Sequence, residues 1–266
     1  MEDNRKFMEQ LLELLKRLLQ KRETAGIVIG LLTLAVVLLP LPLFGIALAF
    51  FSYLIGYELE LITSRGWLRW LSLGGYLFSL INPYFGVLFA SLAALGVGYW
   101  EVLKRGHYSH LTLQSFLLAF LSSIYGGLFV ATLYHLKEIS PYIPLALVFA
   151  VWATDTGAYY IGKHFGKNPF FRVISPKKTL EGFFGGLILG TLTGAVVSSL
   201  TGTGLNNPLL WASVVSLSAF GDLFESFIKR SFGVKDSSNL LGSHGGVLDR
   251  FDALLFASLA LSALLN

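Results

Sequence analysis

"SHGGVLDRFDALLFASLALSALLN", residues 243–266, opens with four ionisable side chains and continues as an almost purely apolar run. His244, Asp249, Arg250 and Asp252 lead into a segment with the length and composition of a membrane helix. A charge in such a helix costs on the order of 2 to 3 kcal/mol at its centre, so charges at its entrance need a compensating role. The fold is decided here, because the rest of the chain has the same apolar character. Of its 266 residues 54% are apolar and 14% charged, and the mean hydropathy is +0.66. These values describe a polytopic membrane protein.

Working outward, nine stretches approach the roughly 20 apolar residues needed to cross about 30 Å of hydrocarbon. They run near 24–40, 42–61, 67–82, 84–103, 111–136, 141–161, 180–201, 208–228 and 248–265. Pro40 and Pro42 part the first two. The stretch at 67–82 is short and polar at its start, so eight spans is the alternative count. The expected fold is all-α, with residues 24–140 as a scaffold of N-terminal and middle transmembrane helices that offers dimer contacts, and 141–266 as the catalytic region. Residues 1–23 place Phe7, Leu11, Leu14, Leu15 and Leu18 on one helical face, with Lys16, Arg17, Lys21 and Arg22 near the end. That pattern predicts an amphipathic helix in the headgroup layer, or else a solvated helical tail. It is not a signal peptide, because basic and apolar residues interleave and no small-residue cleavage site follows.

With no cysteine, disulfides and thiolate metal sites are excluded, and any metal must use oxygen or imidazole ligands. The net charge of +4 does not point to nucleic acid, because the basic residues lie between apolar runs and not on one soluble face. Nineteen of the twenty Lys and Arg residues fall in alternate loops, which leaves Lys137 alone on the other side. The positive-inside rule then places the N-terminus and the two long polar loops in the cytoplasm, and the C-terminus outside.

The first half reads as chemically quiet. Glu58, Glu60 and Glu101 are expected at helix ends as solvated or snorkelling groups, and His107, His110 and His135 show no ligand spacing. From residue 152 onward three clusters appear. In "WATDTGAYYIGKHFGK" Asp155 lies about four helical residues before the cytoplasmic end of the sixth span, as a site residue or as a packing Asp bonded to Thr154 or Thr156. In "ISPKKTLEGFFGG" Lys177 and Lys178 precede a helix N-terminus capped by Thr179, a place for a phosphate or for neighbouring lipid headgroups. Gly182, Gly186, Gly190 and Gly194 then recur every fourth residue as a packing stripe.

The third cluster is "GDLFESFIKRSFGVKDSSNLLGSHGGVLDRFD". Asp222, Glu225, Ser226 and Lys229 share one face of the eighth helix, and Asp249 and Asp252 are three apart at the start of the ninth. Two carboxylate pairs can meet at the inner membrane edge, and facing carboxylates with water and phosphate describe a Mg²⁺ site. Lys229, Arg230 and Lys235 add positive charge, while Gly242, Gly245 and Gly246 allow close backbone approach to phosphates. His244 holds a phosphate or is a turn residue. A network of structural salt bridges is the alternative for the cluster.

Residues 226–252, "SFIKRSFGVKDSSNLLGSHGGVLDRFD", resemble the signature of phosphatidate cytidylyltransferases, with Ser226, Lys229-Arg230, Lys235-Asp236, His244-Gly245-Gly246, Asp249-Arg250 and Asp252 at family spacing. "DTGAYYIGKHFGK" and "SPKKTLEGFFGG" are similar to further family segments, so the likeness covers roughly residues 152–252. Many members carry Pro where this chain has Gly242. The resemblance implies a membrane enzyme, in a bacterial inner membrane, that joins CTP and phosphatidic acid into CDP-diacylglycerol and pyrophosphate with Mg²⁺. It also implies a homodimer and a second, monovalent cation (K⁺) at Asp222 and Asp249. Glu225 and Asp252 are then expected to complete the metal shell. Lys177, Lys178, Lys229 and Arg230 are expected on phosphates, and Asp155 in support. Lys235, Asp236, His244, Gly245, Gly246 and Arg250 fill out the expected substrate contacts. A CTP-dependent lipid kinase is the neighbouring alternative. A transporter is disfavoured, because the acids sit at helix ends and not near the midplane.

Overall fold

The computed structural model describes residues 22–265 apart from Val173. The amphipathic helix expected over 1–23 lies, but for its last two residues, outside the described residues. Helices follow one another as α1 (Arg22–Leu38), α2 (Leu41–Thr63), α3 (Leu68–Ile81), α4 (Pro83–Arg105), α5 (His110–Ile139), α6 (Ile143–Phe165), α7 (Leu180–Leu200), α8 (Pro208–Ser231) and α9 (Leu248–Leu265). Among the described residues there is no strand, only an isolated bridge between Pro169 and Thr179. Each apolar stretch is therefore helical over nearly the residues expected.

The boundaries have local causes. Pro40 ends α1 and starts α2, because a proline ring cannot continue the preceding helix. Proline also stands in the first turn of α4, α6 and α8, where its missing N–H would be unpaired in any case. Asn82, Ser109, Thr179 and Asn207 cap α4, α5, α7 and α8 with side-chain oxygens. Inside α5 the residues Ser122–Leu128 widen into a π-helical turn, which carries the buried Tyr125 against Phe129, Phe224 and Phe256.

Among the described residues four helices are long and apolar enough to cross a membrane: α2, α4, α5 and α7. Two more, α1 and α3, are apolar but shorter. The remaining three, α6, α8 and α9, carry Asp155, then Asp222, Glu225 and Lys229, then Asp249 and Asp252. The helices with the most compromised apolar character are thus the ones that converge below.

Where neighbouring surfaces are all apolar, helices associate through close packing and interhelical hydrogen bonds. The glycine stripe of α7 serves this purpose: Gly182, Gly186 and Gly190 lie against α6, and a Cβ on Gly190 would come within 2.0 Å of Thr154 Oγ1. Gly194 gives room to the fully buried Trp211 of α8. The core itself runs through α2, α5, α6, α8 and α9, with Phe44, Ile55, Leu147, Trp211 and Leu255 at its centre. Thr132 of α5 also donates to Ser258 of α9 at 2.8 Å. This frame fixes α6, α8 and α9 side by side.

Candidate active site

Charges on α6, α8 and α9 are placed by helical period, and those of the α6–α7 connection by the cap of α7. Thr179 Oγ1 accepts from Gly182 N at 3.2 Å, which turns the chain just after Lys177 and Lys178. Most of these groups open into one cavity of about 530 Å³. Its charged lining is Asp155, Asp222, Glu225, Asp249 and Asp252, with Lys177, Lys178, Lys229 and Arg250. Trp152, Tyr159, Phe170 and Phe183 form an aromatic wall beside them.

The charges are already in contact. Lys178 Nζ lies 2.5 Å from Asp222 Oδ2, bringing the α6–α7 connection onto α8. Lys229 Nζ lies 2.5 Å from Glu225 Oε2 and also donates to Asp249 Oδ1, so one ammonium ties α8 to α9. Asp249 Oδ2 accepts from Ser237 N at 2.9 Å, Ser237 Oγ at 2.9 Å and Gly246 N at 2.7 Å. Asp222 has less support, with only a 3.5 Å contact from Ser226 Oγ besides Lys178. Glu225 and Asp252 are buried, and Glu225 Oε1 has no hydrogen-bond partner among the described residues. A buried carboxylate oxygen without a donor is costly, and a bound cation or water is the usual remedy.

The donor set is one of hard oxygens, which suits Mg²⁺. Among the described residues no three Asp, Glu or His side chains stand close enough to hold a metal ion together. The lysines are the charges that hold the acids in this arrangement. Lys229 lies between Glu225 and Asp249, and Lys178 covers Asp222.

The model of the cytidylyltransferase family matches residues 20–266. The chain belongs to this family. It is 40% identical over 245 residues to the phosphatidate cytidylyltransferase of Aquifex aeolicus, covering 90% of this chain and 88% of that protein. It is 34% identical over 244 residues to the phosphatidate cytidylyltransferase of Staphylococcus saprophyticus, covering 83% and 90%. A protein of the same name from Staphylococcus epidermidis is 39% identical over 169 residues.

For this member of the cytidylyltransferase family, nine expected site residues line the cavity and six do not. Arg230 faces its own loop, Nη1 donating to Val234 O at 2.7 Å. Lys235 and Asp236 are exposed on that loop. The His244 carbonyl receives Arg250 Nε at 2.9 Å. Gly245 takes a positive φ of 79°, and Gly246 donates to Asp249, so both shape the turn that carries this acid. Asp155 is not held by either neighbouring threonine, since Thr154 and Thr156 donate to Ala150 O and Trp152 O. It also lies farther from the end of its helix than expected, because α6 continues ten residues beyond it to Phe165, a rise of about 15 Å.

Three glutamates read as solvated are not. Glu60 and Glu101 are buried and paired with arginines. Glu58 is fully buried and accepts four hydrogen bonds, three from the loop before α9 and one from its first residue, Leu248. The signal was present in the sequence: an acid inside an apolar helix that continues for five more residues to Thr63. Nothing in the local pattern said that a loop almost 190 residues away would cover it.

Proposed function

We propose that the protein is a membrane-bound phosphatidate cytidylyltransferase, joining CTP and phosphatidic acid into CDP-diacylglycerol and pyrophosphate. The observation that carries this reading is the single cavity where five acids and four bases from α6, α8, α9 and the α6–α7 connection meet. A lipid phosphate anchored in the bilayer and a soluble triphosphate can share such a cavity. The names of the relatives from Aquifex aeolicus and Staphylococcus supply the reaction.

The step is an in-line displacement. An oxygen of the lipid phosphate attacks the α-phosphorus of CTP; the new P–O bond forms as the bond to the β-bridging oxygen breaks, and its electron pair leaves with pyrophosphate. The attacking oxygen is already ionised, so the chain needs to supply position and charge and no nucleophile of its own. Lys177, Lys178 and Arg250 hold phosphates at the mouth of the cavity. Lys229, fixed by Glu225 and Asp249, presents positive charge farther in. Arg230 braces the loop through Val234, and Asp155 supports the wall from α6.

Asp222 and Asp249 would hold Mg²⁺, with Glu225 and Asp252 completing or orienting the shell and a monovalent cation such as K⁺ sharing these acids. The unpartnered Glu225 Oε1 supports this assignment. Bound there, Mg²⁺ supplies charge that neutralises the triphosphate. The wider reading has all nine helices crossing a bacterial inner membrane, the N-terminus and cavity cytoplasmic, the C-terminus outside, and two copies forming a homodimer. The lopsided distribution of Lys and Arg between alternate loops supports the orientation.

The test uses purified protein, phosphatidic acid and CTP labelled at either the α- or the γ-phosphate. The expected outcome is α-label in a CDP-lipid and γ-label in pyrophosphate, both requiring Mg²⁺. Label from the γ-phosphate in the lipid would identify a kinase and overturn the reading.

A further inference from the structure

We infer that Glu58 of α2 is a positioning residue for the catalytic helix α9, clamping its N-terminus and, through Ser237, setting the orientation of Asp249. The inference rests on the proposed reaction, because it assigns Asp249 to that chemistry. Its geometric basis is independent of it.

The first turn of any helix leaves backbone N–H groups without an intrahelical acceptor. A Ser, Thr, Asp or Asn just before the helix usually accepts from them, but α9 is preceded by Gly245, Gly246 and Val247, none of which has an acceptor side chain. Glu58 fills the gap from another helix. Its Oε1 accepts from Val247 N at 2.7 Å and its Oε2 from Leu248 N at 2.6 Å. The negative charge also lies at the positive end of the α9 dipole. The same two oxygens accept from Ser238 Oγ at 2.6 Å and Ser237 Oγ at 3.0 Å.

Ser237 links the clamp to the site. Its Oγ is 3.0 Å from Glu58 Oε2 and 2.9 Å from Asp249 Oδ2, while its N–H donates to the same Asp249 oxygen. The hydroxyl has one proton and two carboxylates to serve, so it couples their positions. Gly246 completes the packing, since a Cβ there would lie 1.9 Å from Ser237 Oγ and 2.5 Å from Glu58 Oε1. Glu58 is 0% exposed and does not line the cavity, so its effect on substrate must pass through α9.

Glu58→Gln keeps the size but turns an NH₂ toward N–H and O–H donors, whereas Glu58→Asp keeps the charge on a shorter stem. For enzyme purified as the full chain, Glu58→Gln should lower kcat by about 10- to 100-fold, with less change in KM for CTP, as expected when reacting groups shift by a fraction of an ångström. Glu58→Asp should recover part of that loss. Hydrogen exchange should speed up in residues 236–249 and stay unchanged in α3 and α4. Wild-type kcat in Glu58→Gln, or a loss explained fully by a smaller folded fraction, would overturn the inference. If the wild type makes no CDP-lipid, the reaction assigned above fails, while unchanged exchange at 236–249 in the variant would sink the clamp on its own.

Discussion

Helices α2 to α5 close their buried charges on a neighbour, whereas α6, α8 and α9 turn most of theirs into a shared cavity. In the first group Glu60 takes both Arg69 Nε, at 2.5 Å, and Arg69 N, at 3.1 Å, and the guanidinium lies 4.7 Å from the Tyr57 ring centroid. Glu101 is shared by Arg65 and Arg105. Lys137 spends its ammonium on the carbonyls of Val37 and Leu39. In the second group acids outnumber bases, and one buried carboxylate oxygen is left without a donor among the described residues. Both groups bury charge beside apolar helices. Residue type alone therefore does not mark the site; the uncompensated remainder does.

The comparison breaks most readily at the two aspartates assigned to the cation. Asp222→Asn and Asp249→Asn should each lower CDP-lipid formation by about a thousandfold or more, the scale on which enzymes lose rate when a group that stabilises the transition state is removed. The two should differ in stability. Asp222 is half-buried with one strong partner, so its variant should melt close to wild type. Asp249 accepts from four donors, and an amide there must face at least one of them, so its variant should melt lower. Near-normal turnover in Asp222→Asn would show that the cavity acids are as structural as Glu60.

Much of this contrast was legible in the sequence, and what was not has a physical reason. Hydrophobic length and proline positions placed the helices within a few residues, because both act locally. Helical period put Asp222, Glu225 and Lys229 on one face for the same reason. The turn at Gly245 and Gly246 was expected against phosphate, but it holds Asp249 instead; a flexible backbone position does not say which anion it approaches. Glu58 was misread because its partners, Ser237 to Leu248, come from the opposite end of the chain. Arg230 was expected on a phosphate beside Lys229 from the family signature, yet adjacent helical residues point about 100° apart, and only one of them can face α9.

A smaller effect sharpens the comparison at the cavity mouth. Lys178 is a partly buried lysine whose contact with Asp222 bridges two elements, and the proposed reaction gives it a phosphate to hold. Lys178→Met should raise KM for CTP by about 10-fold, the loss expected from one charge-assisted hydrogen bond, and lower kcat less. Steady-state kinetics over a CTP series reads both numbers. An unchanged KM with reduced thermal stability would move Lys178 into the closed, structural group.

The smallest effect on catalysis is expected at the other buried lysine. Lys137 is only 7% exposed, and its ammonium donates to Val37 O and Leu39 O while lying 4.4 Å from the Phe44 ring centroid. Those carbonyls lie in the last turn of α1 and just after it, where the helix stops before Pro40 and the final C=O groups have no intrahelical donor. The lysine thus completes a helix terminus that proline leaves open, and it does so far along the sequence from the catalytic acids. Lys137→Met keeps much of the stem and removes the donors, leaving two carbonyls unpaired at about 1 to 3 kcal/mol for a buried polar group. The variant should melt at a lower temperature and keep wild-type kcat and KM per folded molecule. A fall in kcat without a fall in melting temperature would mean that charge on the scaffold reaches the cavity after all, and the division between closed and open charge would have to be redrawn around α1.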